Sequence, residues 1–232
     1  PMACWVPPKF RTPVTVESEP VTFVGSRDST REHLFAEAIK QGLEVALKGP
    51  GWLSTGSSSP KPQGTRADPL TILRRKRAFI HQHGWSALLR QQFSREHGKT
   101  YRHFNFKSYA AEPVFGDAYW QALRNCSVCL GVNRYPSWRF PPQHPDTYSR
   151  LRDIEAPMAG ACYLTEWTEG LQEMYDLGSE VETYRSTEEL VVKAQLLVEN
   201  KVLRKNLRTA AQKRALEDHS IARTVDKILN RI

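Results

Sequence analysis

VTFVGSRDSTREHLFAEAIKQGLEVALKGPGW, residues 21–52, changes its hydrophobic period twice, and the fold is read from those changes. VTFVG is a short, β-branched apolar run closed by Gly25, which reads as a buried strand. In DSTREHLFAEAIKQG the apolar residues Leu34, Phe35, Ala38 and Ile39 then recur at helical spacing up to Gly42. LEVALKGPGW follows as a second strand, stopped by Gly49, Pro50 and Gly51. Strand, helix and strand in this order predict a parallel sheet covered by helices on both faces.

The alternation continues downstream. Helical periodicity spans LTILRRKRAFIHQHGWSALLRQQFSREHG, residues 70–98, and DAYWQALRNC, residues 117–126. SVCLGVN, residues 127–133, reads as a buried strand, and RYPSWRFPPQHPD after it as an aromatic, proline-rich loop. ACYLT is the next strand, EGLQEMYD a helix, EVETY a short strand, and everything after Ser186 helical. Ser186 with Glu189 forms a capping box that marks the start of that helical tail. Residues 53–69, LSTGSSSPKPQGTRADP, carry the Ser, Pro and Gly content of a flexible surface loop.

Composition limits the function classes. The 232 residues are 40% hydrophobic and 25% charged, as in a globular domain long enough to bury a core. No apolar run is long enough to span a membrane, and the first residues lack the pattern of a signal peptide. Four cysteines, Cys4, Cys126, Cys129 and Cys162, are too sparse for a disulfide framework and point to a cytoplasmic protein. Cys126 and Cys129 have redox spacing but lead into a strand, where positions three apart point to opposite faces, so both read as buried structural thiols. His81, His83, His97 and His103 read as solvated, and no metal site is expected. Between residues 66 and 107, ten Lys/Arg face two acids, a local excess equal to the chain's formal charge of +8. That segment is either a solvated basic face or a surface for phosphate, nucleic acid or an anionic membrane.

Ligands of such sheets sit beyond the carboxyl ends of the strands. Gly25, Ser26 and Arg27 follow the first strand directly, where a glycine allows close backbone approach and the next helix start offers N–H groups to an anion. In YSRLRDIEAPMAGACYLTEW, residues 148–167, Glu155 lies within a helix whose buried side holds Ile154, Met158 and Cys162, with Ala156 and Ala159 permitting close packing. Isolated helical glutamates are commonly exposed.

The blocks VTFVGS, GLEVALKGPGW, VFGDAYWQALRNCSVCLGVNR, RLRDIEAPMAGACYLTEW and LGSEVETYRSTEELVVKAQLLVENKVLRKNL, in this order, resemble the C-terminal half of a GT-B glycosyltransferase. The likeness is nearest to the CgeB-like group of the broad glycosyl transferases group 1 family. It covers residue 21 to the end of the chain, apart from a variable basic insert at about 53–109.

This resemblance implies a Rossmann-like domain over residues 21–232 with a helical C-terminal tail, and an interdomain linker at residues 1–20. Glu155 matches the glutamate that hydrogen-bonds the donor's ribose hydroxyls, a role suited to a carboxylate facing a vicinal diol. Arg152 matches an arginine often found three residues earlier, able to pair with diphosphate or with Glu155. Gly25, Ser26 and Arg27 match the diphosphate loop, and Thr165 and Glu166 begin the next loop on that edge. Tyr135 and Trp138 are candidates for stacking on a base or sugar. Where many relatives carry a second glutamate, this chain has Thr147.

The resemblance further implies a nucleotide-sugar donor, a UDP-sugar first among the expectations, and no bound metal or other cofactor. The acceptor would be a glycan, a protein or a small molecule. The chain would be the donor-binding half, with its catalytic residues in an N-terminal GT-B domain. The alternative is a non-catalytic polyanion or nucleic-acid-binding module that uses residues 66–107.

Overall fold

All four residues of β1 (Val21–Val24) are buried, because this strand runs through the middle of a parallel sheet covered on both faces. The computed structural model describes residues 4–14, 16–53, 68–97, 104–135 and 146–230. Its other strands are β2 (Val45–Lys48), β3 (Ala110–Ala111), β4 (Cys129–Gly131), β5 (Tyr163–Glu166) and β6 (Glu182–Tyr184). The helices are α1 (Ser29–Lys40), α2 (Pro69–His97), α3 (Asp117–Asn125), α4 (Arg152–Met158), α5 (Leu171–Met174), α6 (Thr187–Glu199), α7 (Lys201–Asp218) and α8 (Ile221–Leu229).

The described residues form a six-stranded sheet in the order β3-β2-β1-β4-β5-β6, with every pairing parallel. The expected Rossmann-like α/β architecture is therefore the observed one, helical C-terminal segment included. The order reverses between β1 and β4, and that is where a crevice opens at the carboxyl edge of such a sheet.

Alternation along the strands sorts the core into two layers. Phe23, Leu130 and Leu164 face α1 and α6, joining Leu34, Phe35, Leu190 and Ala194. Val24, Cys129 and Tyr163 face α3, α4 and α7, joining Leu123, Ile154, Met158 and Ala211. Cys162 belongs to the first layer while Ile154 and Met158 belong to the second. The helix-face grouping expected for these three residues is thus corrected: the chain leaves α4 at Gly160 (φ 83°) and enters the sheet.

Two further expectations change. Cys126 is the C-cap of α3 and does not belong to the strand, so it and Cys129 lie on the same side of the sheet. Burial pushes the Cys126 thiol up, its Sγ donates to the Leu123 carbonyl at 3.2 Å, and both cysteines are free, buried thiols. The long helical periodicity after residue 69 is broken at Gly84 (φ 82°, ψ 164°), where two helical pieces meet. The capping box is present in altered form: Ser186 Oγ accepts from Glu189 N at 3.2 Å, while the Glu189 carboxylate accepts from Arg185 N at 2.7 Å. Residues 54–67 and His103 lie outside the described residues.

The segment before β1 packs on the domain. Val6 and Phe10 are buried in the second layer, and Glu17 forms ion pairs with Arg204 and Arg208. Arg204 Nη1 donates to the carbonyls of Leu197 (2.7 Å) and Val198 (2.6 Å) at the end of α6. Arg208 Nη1 donates to the carbonyls of Arg124 (2.7 Å) and Gly160 (2.9 Å), and its Nη2 to Cys126. Two arginines thereby neutralise the carbonyl-rich ends of three helices, and Glu17 balances them.

Burial alone would raise the Glu17 carboxyl, but the Arg204 hydrogen bond and the charges of Arg208, Arg204 and Lys201 hold it below its ordinary value near 4.5. A group depressed in the folded state contributes stability above its unfolded value and loses it as pH falls through the folded one. Denaturant midpoints across pH should therefore drop more steeply for the wild-type chain than for Glu17→Gln between about pH 5 and about pH 3. Parallel curves would show that this network carries no pH dependence.

Candidate functional site

A cleft of about 450 Å³ opens where the strand order reverses. Its floor is the ends of β1 (Phe23, Val24, Gly25) and β4 (Leu130, Gly131, Val132), and Tyr148–Arg152, Glu155 and Arg31 complete the wall. Of the residues expected from sequence, Gly25, Arg152 and Glu155 meet here.

Glu155 is partly exposed, with 18% of its side chain open to solvent. Its Oε2 accepts from Tyr119 Oη at 2.6 Å and faces Arg152 Nε at 3.7 Å. Arg152 Nη1 donates to the Val24 carbonyl at 2.6 Å, so its guanidinium spans the gap between α4 and β1. Arg150 lies with its guanidinium 4.6 Å from the Tyr148 ring centre and donates to the Arg134 carbonyl. Arg31, on the first turn of α1, donates to Ser26 O at 2.8 Å and sits 5.3 Å over the Phe23 ring. Burial, together with the like charges of Arg150 and Arg152, lowers the Arg31 guanidinium below its usual range despite Asp28. Among the described residues, the Nε atoms of Arg150 and Arg152 are buried with no hydrogen-bond partner. Three guanidiniums at one cleft suit an anion with several acceptor oxygens.

Behind the cleft lies a carboxylate that the sequence reading did not single out. Asp153 is fully buried. Its Oδ2 accepts from Ser149 Oγ (2.9 Å) and Arg150 N (2.8 Å), and its Oδ1 from Tyr163 Oη (2.8 Å) and Thr165 Oγ1 (3.2 Å). Asn133 Nδ2 donates to both oxygens at 3.1 Å. Burial, with the Asp153 charge adding to it, pushes the Tyr163 phenol up, so it remains a proton donor. The sequence signal was Ser149 four residues before Asp153 at a helix start, a local pattern that does not reveal the partners on β4 and β5.

The remaining predicted residues sit elsewhere. Thr165 and Glu166 are buried beneath the edge. Glu166 pairs with Arg134 Nε at 2.8 Å and accepts from Asn133 N at 3.2 Å, so the two residues hold the loop after β4 and do not face the cleft. Arg27 turns away from the cleft, pairing with Glu32 at 2.6 Å and lying over the Phe106 ring. Ser26 reaches the cleft through its contact with Arg31. The N–H groups of Thr30 and Arg31, expected to be open to an anion, are both bonded at 3.0 Å to the Asp28 carboxylate that caps α1. Tyr135 stacks on Tyr148 with ring centres 4.2 Å apart, and Trp138 lies outside the described residues. The sequence reading missed Arg31, Arg150 and Tyr148 in the cleft wall and Tyr119, which bonds Glu155.

Gly131 fixes how closely the strands approach. A Cβ there would lie 2.2 Å from both Tyr163 Oη and Thr165 Oγ1, the hydroxyls that serve Asp153. Gly131→Ala should lower stability by about 1–3 kcal/mol, the range for overpacking. Urea denaturation checks this, and an unchanged midpoint would mean that the sheet can open at β4 without cost.

The chain belongs to the glycosyl transferase-like family, whose model matches residues 74–230. No curated protein sequence matches the chain. Its fold is that of GT-B glycosyltransferases. Sucrose-phosphate synthase from Thermosynechococcus elongatus superposes over 100% of this chain and 51% of its own, with a TM-score of 0.57 and 17% identity. TarM superposes over 95% of this chain and 36% of its own, with a TM-score of 0.55 and 11% identity. Anabaena Alr3699/HepE in complex with UDP-glucose superposes over 91% and 48%, with a TM-score of 0.52 and 12% identity. The chain thus spans about half the length of these neighbours, or less. Among the described residues no helix is long and apolar enough to cross a membrane.

Proposed function

We propose that this chain is the donor-binding half of a nucleotide-sugar-dependent glycosyltransferase. The observation that carries this reading is the convergence of one carboxylate, Glu155, with Arg31, Arg150 and Arg152 in a cleft at the point where the strand order reverses. The carboxylate suits the ribose hydroxyls, and the guanidiniums suit the diphosphate. Gly25 and Gly131 line the floor of the cleft between the ends of β1 and β4.

In this reading the transferred sugar leaves a nucleoside diphosphate, and the negative charge that develops on it meets the three guanidiniums already in place. A UDP-sugar is the preferred donor, supported by the fold neighbour solved with UDP-glucose. The acceptor, a glycan, protein or small molecule, and the catalytic residues would come from an N-terminal GT-B domain. Residues 1–20 would serve as the interdomain linker and residues 21–232 as the donor domain, with the basic insert at about 53–109. The order of the sequence blocks, and Arg152 three residues before Glu155, support a place near the CgeB-like group. Four free, buried thiols favour the reducing cytoplasm as the working compartment.

Calorimetric titration with UDP, GDP, ADP and CMP tests the reading. One nucleotide should bind, and Glu155→Ala should weaken it by about tenfold or more, equivalent to about 1.4 kcal/mol. Equal binding by both proteins would remove Glu155 from the site, and no binding at millimolar concentration would sink the donor-site reading for this chain.

A second reading rests on a separate observation: Arg74, Arg75, Lys76 and Arg77 are consecutive on α2 and all exposed. They form a surface for a polyanion. Such contacts weaken steeply with salt, whereas a buried ribose contact responds far less.

A further inference from the structure

The two oxygens of Glu155 are not equivalent. Oε2 is occupied from the protein side: the Tyr119 hydroxyl donates to it at 2.6 Å, and Arg152 Nε faces it at 3.7 Å. Among the described residues no protein donor reaches Oε1, and Glu155 lines the cleft. Tyr119 comes from the first turn of α3, a different helix from the α4 that carries Glu155. Its ring is itself fixed. Trp120 lies edge-on with ring centres 5.0 Å apart, and the Arg152 guanidinium sits 5.1 Å from the Tyr119 ring centre. Burial pushes the phenol up despite the pull of Arg152, with the Glu155 charge and hydrogen bond adding to the rise, so Tyr119 stays a donor at any physiological pH.

A glutamate on a half-open helix face ordinarily samples several rotamers. Freezing such a side chain on binding costs about 0.5–1.5 kcal/mol, which is about two- to tenfold in affinity. Tyr119 removes that cost in advance. It also decides which oxygen is left over, so the ligand meets one free oxygen with two lone pairs.

We infer that Tyr119 is a positioning residue for ribose recognition: it holds Glu155 Oε2 so that Oε1 alone receives the ribose hydroxyls, making the site selective for ribonucleotides over their deoxy forms. This rests on the donor-site reading above. It narrows the ligand class to a ribonucleoside diphosphate.

Tyr119→Phe keeps the ring, its packing on Trp120 and its place under Arg152, and deletes only the hydroxyl. Wild type, Tyr119→Phe and Glu155→Ala are each titrated with UDP and with 2′,3′-dideoxy-UDP, and their thermal midpoints are measured. Tyr119→Phe should bind UDP about two- to tenfold more weakly than wild type. It should bind dideoxy-UDP within about twofold of wild type, because that ligand has no hydroxyl for Oε1 to receive. Equal losses for both ligands would mean that Tyr119 acts through packing alone, and would overturn the inference. So would wild-type affinity for UDP in Tyr119→Phe when Glu155→Ala is weakened. If Glu155→Ala binds UDP as wild type does, or UDP does not bind at all, the donor-site reading itself fails and this inference falls with it. Should Tyr119→Phe lower the thermal midpoint, the ratio of UDP to dideoxy-UDP affinity within that one variant still isolates the hydroxyl's contribution.

Discussion

A carboxylate with no water contact must be matched by donors or it costs several kcal/mol, and Asp153 places that requirement at the centre of the domain. Five donor groups meet it: Asn133 Nδ2, Ser149 Oγ, Arg150 N, Tyr163 Oη and Thr165 Oγ1. They come from the loop after β4, the approach to α4, and β5. No one of these segments can shift without leaving a buried polar group unsatisfied. The start of α4 is therefore pinned to the sheet, and Arg152 and Glu155 follow from it by helical geometry.

The cleft is the outer surface of that arrangement. Glu166 and Arg134 extend the buried network sideways and hold the chain where it leaves β4. Arg152 carries it forward, bonding the end of β1 with one nitrogen while its Nε faces Glu155. Trp52 fixes the turn after β1 through a 2.8 Å bond to the Gly25 carbonyl. The walls are thus set by the protein before any ligand arrives, and in such a site charge–charge contacts are worth more than in water. Burial first, and then the neighbouring guanidiniums of Arg150 and Arg152, lower Arg31.

Much of this was legible in the residues. Periodicity placed β1, α1, β2 and the segments around β4 and β5, because parallel strands are apolar on both faces and glycines end them. Gly25 could be assigned to the carboxyl edge because it directly follows a parallel strand, and the family resemblance brought Glu155 and Arg152 to the same edge. What failed was whatever depends on side-chain direction or on contacts distant in sequence. Thr165 and Glu166 sit at the right edge, but they are drawn inward by Asn133 and Arg134. Arg27 is adjacent to the right loop, but Glu32 takes its guanidinium. Arg31 and Arg150 read as ordinary helix and loop residues, since nothing local shows that they share a cleft with Glu155, and Tyr119 gives no local sign of its bond to that carboxylate. Asp28 shows the same limit: it caps α1 and closes that N-terminus to other anions, where the sequence reading expected open N–H groups.

The connection from Gly49 to Tyr109 leaves the sheet after β2 and returns as the two-residue edge strand β3. Loop-closure entropy rises only with the logarithm of length, about 0.6 kcal/mol for each doubling. A connection at that edge can therefore lengthen, acquire a helix or exchange its charges at small cost to folding. The β1–β4 crevice has less latitude, because Asn133, Ser149, Arg150, Tyr163 and Thr165 beside and beneath it are tied to Asp153. The domain thus separates a part free to diversify from a part held constant, and the basic character of α2 is a property that can be gained or lost without touching the cleft.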